Sequence, residues 1–310
     1  MILPTADGVR AALDLIDPVF LATPVRTSAA LDRRLGAEVV FKDETANPIR
    51  SFKGRGACAF VAGRTAGETL VCASAGNFGQ GLAYAAGQAG MTCVVFAARS
   101  AVQVKLEAMA RFGADVRLAG DDFDAAKTAA REFARSAGGV FVEDGAEIAI
   151  AEGAGTMALE LTEVGGVFDQ VMAPLGNGAL ASGIGTWIRH ALPAARVTAV
   201  AAGGAPAMAL AVRTGDIVTG ERIATIADGV AVRVPVPYAV ACVRQVVDDV
   251  VLVDDDHIRT AMALLVEHLD LTVEPAGAIG LAALLSQPER WRGQRIAVPL
   301  CGGNVDPRGA

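Results

Sequence analysis

Histidine is almost missing from this chain. It occurs three times in 310 residues, at His190, His257 and His268, and never as an i,i+4 pair. Zinc sites draw on His and Cys at fixed spacing, so a dedicated zinc site is not expected. Cysteine is also sparse. Cys58, Cys72, Cys93, Cys242 and Cys301 share no CxxC and no Cys/His ligand spacing, and three of them lie in apolar runs, as buried free thiols do. No purely apolar stretch reaches eighteen residues, so a membrane-spanning helix is not expected. Runs of basic charge are absent as well. The balance is 27 Lys+Arg against 34 Asp+Glu, mixed in sign, which makes nucleic acid and anionic membranes poor partners. The first twenty residues carry Asp7, Asp14 and Asp17, unlike a secretory signal, so a cytoplasmic protein is expected.

What is abundant is apolar and small. Hydrophobic residues make up 53% of the chain, enough to bury a large core in one big domain or two medium ones. From about residue 37, short β-branched runs alternate with longer Ala-rich helical patterns. Strands are expected at 38–42, 69–74, 92–98, 115–120, 140–144, 168–175, 196–202, 249–254 and 295–301. Most are near-continuous apolar runs, as in parallel strands covered on both faces, and the helices between them have the length of crossovers. The fold class is therefore α/β, with two doubly wound, mostly parallel sheets and ligands in the crevice outside the carboxyl ends of the strands. The strand–helix units from 69 to 146 form one compact block, expected as a small domain, with 1–68 and 147–310 forming the large one.

Four stretches carry the chemistry. In "NPIRSFKGRGACAF", Lys53 follows Phe52 where an extended segment becomes an apolar helix, with Gly54 and Gly56 beside it. Such glycines imply close approach of the backbone to something, and the lysine is either a solvated first-turn residue or one held for covalent chemistry. "SAGNFGQG" joins a strand to a helix at Asn77, and its exposed amides suit a carboxylate or phosphate. It equally suits a tight turn with an Asn cap. "PLGNGALASG" repeats the arrangement with Gly176 and Gly178. Gly176-x-Gly178-x-x-Ala181 imitates a dinucleotide fingerprint, but the next strand ends in Gly203 and Gly204 rather than a ribose-binding acid, so a phosphate without adenosine fits better. "VPLCGGNVD" puts Cys301 at the end of a buried strand with no histidine nearby in sequence, so no nucleophile is assigned there. A phosphate cradle, a carboxylate-sized nest and an imine-competent lysine together describe a pyridoxal phosphate site handling an amino acid.

The chain resembles the serine/threonine dehydratase family, pyridoxal-phosphate enzymes of fold type II, almost from end to end. "TPVRTSAALDRRLGAEVVFKDETANPIRSFKGRGA" is similar to the family's N-terminal block, which implies that Lys53 is the catalytic Schiff-base lysine with Phe52 beside the ring. "SAGNFGQG" is similar to the substrate-carboxylate loop, implying that Ser74, Ala75, Gly76, Asn77 and Phe78 line the substrate side and that Asn77 reaches the cofactor's phenolic oxygen. "GNGAL" takes the place of the tetraglycine phosphate loop, which assigns Gly176, Asn177, Gly178, Ala179 and Leu180 to the phosphate. By the same resemblance Gly229 of "TIADGVAV" lies against the ring, Glu274 of "EPAGAIGLAAL" lies near the site, and Cys301 faces the pyridine nitrogen. A homodimer is the family's common state.

Departures from the family pattern refine the expectation. Family racemases carry a serine base where this chain has Ala75, so racemisation by that route is not expected. Cysteine at 301 with alanine at 75 matches a subgroup of serine dehydratases. The family's cation-binding acidic pair has no Asp or Glu in "AAGGAPAMA", so no metal is expected there. Phe78 replaces a common histidine and makes the side-chain pocket less polar, Asn177 and Ala179 interrupt the polyglycine loop, and Pro237 replaces a usual glycine. The resemblance thus implies an ammonia-lyase converting a β-hydroxy amino acid such as L-threonine or L-serine into a 2-oxo acid and ammonia. The alternative is a β-replacement synthase of threonine synthase or cysteine synthase type, towards which "NPIRSFKGR" leans. With nine residues after Cys301, a regulatory C-terminal domain and feedback control through it are not expected.

Overall fold

The computed structural model describes residues 1–305. Among them, ten strands form two sheets. The larger contains β1 (Val25–Thr27), β2 (Glu38–Asp43), β7 (Gln170–Pro174), β8 (Arg196–Ala202), β9 (Asp249–Val253) and β10 (Arg295–Leu300). Their spatial order is β1-β2-β10-β7-β8-β9, parallel throughout except for β1, which pairs antiparallel with β2. The smaller sheet is fully parallel, in the order β5-β4-β3-β6, with β3 (Thr69–Ala73), β4 (Thr92–Ala97), β5 (Asp115–Leu118) and β6 (Val140–Phe141). The expected α/β class and the two parallel sheets are thus observed. Two details differ. β1 is three residues long and half-exposed, with no apolar run to announce it; pairing with β2 creates it. β6 stops at Phe141, not 144, and so leaves Asp144 in a loop.

Both faces of the large sheet are buried. Successive residues of β7 point to opposite sides: Val171 and Ala173 pack with the helices Ile148–Gly165 and Ala179–Ala191, while Met172 packs with the helix Pro275–Ser286. The small sheet divides the same way, Leu70 and Cys72 on one face, Val71 on the other. The helix Lys53–Ala62 precedes the small sheet in sequence yet shares its core through Ala57, Cys58, Phe60 and Val61. It also packs on the Ile148–Gly165 helix, and so forms the seam between the two sheets. No helix among the described residues is long and apolar enough to cross a membrane.

Candidate active site

Packing explains the glycines around Lys53. A Cβ at Gly54 would stand 2.3 Å from the Phe20 ring, and one at Gly56 would stand 2.6 Å from the Ile150 carbonyl oxygen. The close approach expected from sequence is real, but at these two positions the neighbours are protein. Gly81 does the same from the other side: its Cβ would meet the Lys53 carbonyl at 3.0 Å, so the helix Asn77–Gln88 lies directly against the lysine. Two residues after Lys53, Arg55 anchors the helix Lys53–Ala62 in a buried charge network. Its Nε donates to Glu44 Oε2 at 2.8 Å, and its Nη1 donates to Glu160 Oε1 at 2.8 Å and to Thr156 Oγ1 at 3.0 Å. Lys42 Nζ completes the group by donating to Glu160 Oε2 at 2.7 Å. Burial disfavours the Arg55 cation, but the two carboxylates outweigh it and hold the guanidinium above its ordinary range.

The lysine amine is held at the carboxyl ends of the strands. Lys53 Nζ pairs with Asp144, 4.7 Å from the Phe52 ring centroid and 5.9 Å from that of Phe78. Phe52 N donates to the Cys301 carbonyl at 3.2 Å, which ties the helix start to the end of β10.

The loop after β3 runs through Ser74, whose Oγ accepts from the amides of Gly76 at 3.1 Å and Gly79 at 2.9 Å. Ala75 is exposed at its tip. The following helix begins at Asn77 with no side-chain cap. The Asn77 amide is fixed from both ends: Nδ2 donates to Glu274 at 2.8 and 3.0 Å, and Oδ1 accepts from Asn304 Nδ2 at 2.8 Å.

The loop after β7 turns through Gly178, whose φ of +95° suits glycine, into a helix at Ala179 that likewise lacks a side-chain cap. A Cβ at Gly176 would meet the Gly229 carbonyl at 2.9 Å, and one at Gly229 would stand 3.6 Å from Glu274 Oε1. Asn177 Nδ2 lies 3.5 Å from Asp144 Oδ2. The expected residues are therefore brought to one place, with a qualification: Ala179 and Leu180 bury their side chains in the core and leave only backbone for a ligand.

Burial pushes Glu274 up to about 7, against the bond from Asn77 and with Asp228 adding to the rise. Burial likewise lifts the Cys301 thiol well above its usual range, reinforced by Glu274 and opposed by Lys53, so the thiol is neutral. Its Sγ lies 3.5 Å from the Ala276 carbonyl oxygen. An uncapped helix start behind two glycines, a neutral thiol and a confined amine together fit the charge and reactivity of pyridoxal phosphate, an anionic phosphate ester that carries an aldehyde.

Several residues here were not visible in the sequence. Asp144 read as the end of a strand. Lys105 read as a solvated charge, but its side chain is only 15% exposed and pairs with Asp228, next to Gly229, while its Cδ stands 3.7 Å from where a Gly76 Cβ would be. Arg233 pairs with Asp124 nearby, with Nε 2.6 Å from Oδ2. Asn304 and the Arg55 network were also missed. The partners lie far apart in sequence, 123 residues for Lys105–Asp228 and 105 for Arg55–Glu160, and no local pattern records such pairings. Among the described residues, no group of three His, Cys, Asp or Glu is placed to hold a metal ion.

Comparison with known proteins identifies the family. Residues 16–302 match the family model described as pyridoxal-phosphate dependent enzyme. The chain is 34% identical to the biosynthetic L-threonine dehydratase of Pasteurella multocida over 92% of its length and 56% of the relative's. It spans 56 to 60% of the length of the first curated relatives it matches. The structure of maize serine racemase superposes with a TM-score of 0.93 at 30% identity, covering 99% of this chain and 95% of that one. A threonine deaminase from T.th. superposes with a TM-score of 0.92 at 30% identity, covering 98% and 99%. By sequence match and fold, the chain belongs to the family of pyridoxal-phosphate dependent enzymes of fold type II.

Proposed function

We propose that this chain is an ammonia-lyase that removes water from a β-hydroxy amino acid of the serine or threonine type and yields a 2-oxo acid and ammonia. The observation that carries the reading is the asymmetry of the site. Lys53 faces the cleft beside the amide loop, the other nearby amine, Lys105, is paired with Asp228, and the tip of the loop is Ala75, whose side chain has no atom able to move a proton. One base suffices for elimination; the usual route to racemisation needs a second on the other face. Ala75 therefore favours the lyase over a racemase, although the chain shares the fold of a serine racemase.

In this reading residues 69–146 form a small substrate-loop domain, and 1–68 with 147–310 a large cofactor-binding domain. Gly176 to Leu180 would hold the cofactor's phosphate, Gly229 and Phe52 its ring, Asn77 its phenolic oxygen, Cys301 its pyridine nitrogen and Lys53 its aldehyde carbon, with Glu274 steadying Asn77. When bound, the cofactor supplies an electron sink for the pair left when a Cα–H bond breaks. The chain does the rest. Amides from Ser74 to Phe78 hold the substrate carboxylate and fix the direction of the Cα–H bond. Lys53 Nζ takes the Cα proton, a contribution of about 10²–10⁴-fold for a positioned base. The hydroxyl leaves Cβ as water by taking up one proton, equivalent to the one removed from Cα, and the released enamine hydrolyses to the oxo acid and ammonia. Phe78, buried at the edge of this pocket, favours an apolar group at Cβ. We extend the reading to a cytoplasmic homodimer.

The test is 2-oxo acid release from L- and D-serine, threonine, 3-hydroxyaspartate and phenylserine by the cofactor-loaded protein. Release from one or more is expected, and Lys53→Ala should abolish it. Silence across the panel, with a spectral shift on adding amino acid, would replace the lyase with a β-replacement synthase awaiting a second nucleophile.

A further inference from the structure

Lys53 has one polar partner for its amine among the described residues, and it is a carboxylate that no sequence feature singled out. Asp144 lies three residues past β6, in a residue only 6% exposed. Its Oδ2 accepts from Lys53 Nζ and has Asn177 Nδ2 at 3.5 Å. Its Oδ1 is buried with no hydrogen-bond partner among the described residues. Among the described residues, no cation other than Lys53 pairs with it. A carboxylate taken out of water at such cost is best stabilised when a cation stands beside it, so Asp144 favours the charged form of its neighbour over the neutral one. Gly145 brings this loop hard against the 176–178 loop: a Cβ there would meet the Asn177 carbonyl oxygen at 2.5 Å.

We propose that Asp144 is a positioning residue for Lys53, which receives the ammonium formed when the lysine takes the substrate's Cα proton and holds the amine on the substrate side between proton transfers. The proposal rests on the reading of Lys53 as the base. In this step the Cα–H bond breaks, its electron pair stays behind for the cofactor's electron sink, and an N–H bond forms on Nζ. Asp144 remains a carboxylate throughout and neutralises the new charge inside a poorly solvated site, where an opposite charge counts for most.

The test separates proton transfer from elimination by using L-alanine, which has no group to expel at Cβ. Cofactor-loaded wild type, Asp144→Asn and Asp144→Ser are saturated with L-alanine in heavy water, and loss of the Cα proton is followed by NMR. Binding is followed separately through the visible spectrum of the cofactor. Both variants are expected to load cofactor and to bind L-alanine within about 3-fold of wild type, while exchange falls by about 10-fold or more. Exchange at the wild-type rate would overturn the proposal. Loss of cofactor loading in both variants would also overturn it, by assigning Asp144 to cofactor retention. A wild-type enzyme that exchanges no alanine proton would overturn it too, since Lys53 would then not be the base. Exchange of alanine without oxo acid from any panel member removes the lyase reading and leaves the role of Asp144 to be decided by the variants.

Discussion

Replacing Arg55 by methionine should destabilise the protein out of proportion to the atoms removed. Four charges meet in this part of the core, Lys42, Glu44, Arg55 and Glu160, with exposures of 1, 0, 0 and 9%, and they balance two against two. Methionine fills much of the same unbranched volume but leaves Glu44 and Glu160 with Lys42 alone, a net buried negative charge. Breaking one side of such a network costs about 3–5 kcal/mol. For a chain of this size that is roughly 6–10 °C in Tm, at about 2 °C per kcal/mol. Thermal unfolding of the cofactor-free protein by circular dichroism at neutral pH measures it. Charge, rather than volume, is the cause claimed, and a second substitution isolates it. Arg55→Met with Glu44→Gln restores the balance between Lys42 and Glu160, and should recover about half of the loss although it removes one more native group. The deficit of the single variant should also shrink towards pH 5, where an orphaned carboxylate takes up a proton instead. A single variant within about 1 °C of wild type would refute the reasoning. So would a double variant less stable than the single one.

Two further predictions concern the site and the helices that carry it. Glu274 has its pKa raised to about 7 in the folded cofactor-free protein, against an ordinary value of 4.5. The folded state therefore holds the proton more tightly, and stability is lost as pH rises from about 4.5 to 7. Glu274→Gln, which still accepts from Asn77, should equal wild type near pH 4.5 and exceed it by up to about 3 kcal/mol at pH 8; a pH-independent difference in denaturant midpoint would count against it. Gly183→Ala would ordinarily stabilise a helix interior, by roughly 0.5–1 kcal/mol. Here a Cβ would stand 2.1 Å from the Ala151 carbonyl oxygen and force apart the helices Ile148–Gly165 and Ala179–Ala191. Destabilisation of about 1–3 kcal/mol is expected in urea unfolding, and a stabilised variant would show that the two helices are not packed as described.

Legibility in the sequence followed the range of the forces involved. Strands buried on both faces must be apolar along their whole length, so "TCVVFA" and "RIAVPL" declared themselves, and strand-to-helix turns rich in small residues marked where ligands could approach a backbone. β1 did not show because nothing in "VRT" demands a strand; its pairing with β2 does. Asp144 read as part of a strand because "VFVED" continues an extended pattern past the point where the parallel partner ends.

The hidden half of the site is its charge. Positions such as Lys53, Asn77 and Gly178 are local devices, each at the start of a helix, where a few neighbouring residues decide the geometry. Charged partners come from elsewhere in the chain, Asp144 for Lys53 and Glu274 for Asn77, as Asp228 does for Lys105. A lysine in an apolar helix start therefore leaves its role open until its partner is known. Beside exposed water it would be an ordinary solvated cation. Confined between Phe52 and Phe78, paired with a carboxylate that has no other cation among the described residues, and carried on a helix pinned by Arg55, its amine is held beside the loops that follow β3 and β7. It is this placement, set by residues up to 105 positions away from Arg55, that turns a common residue type into a candidate base.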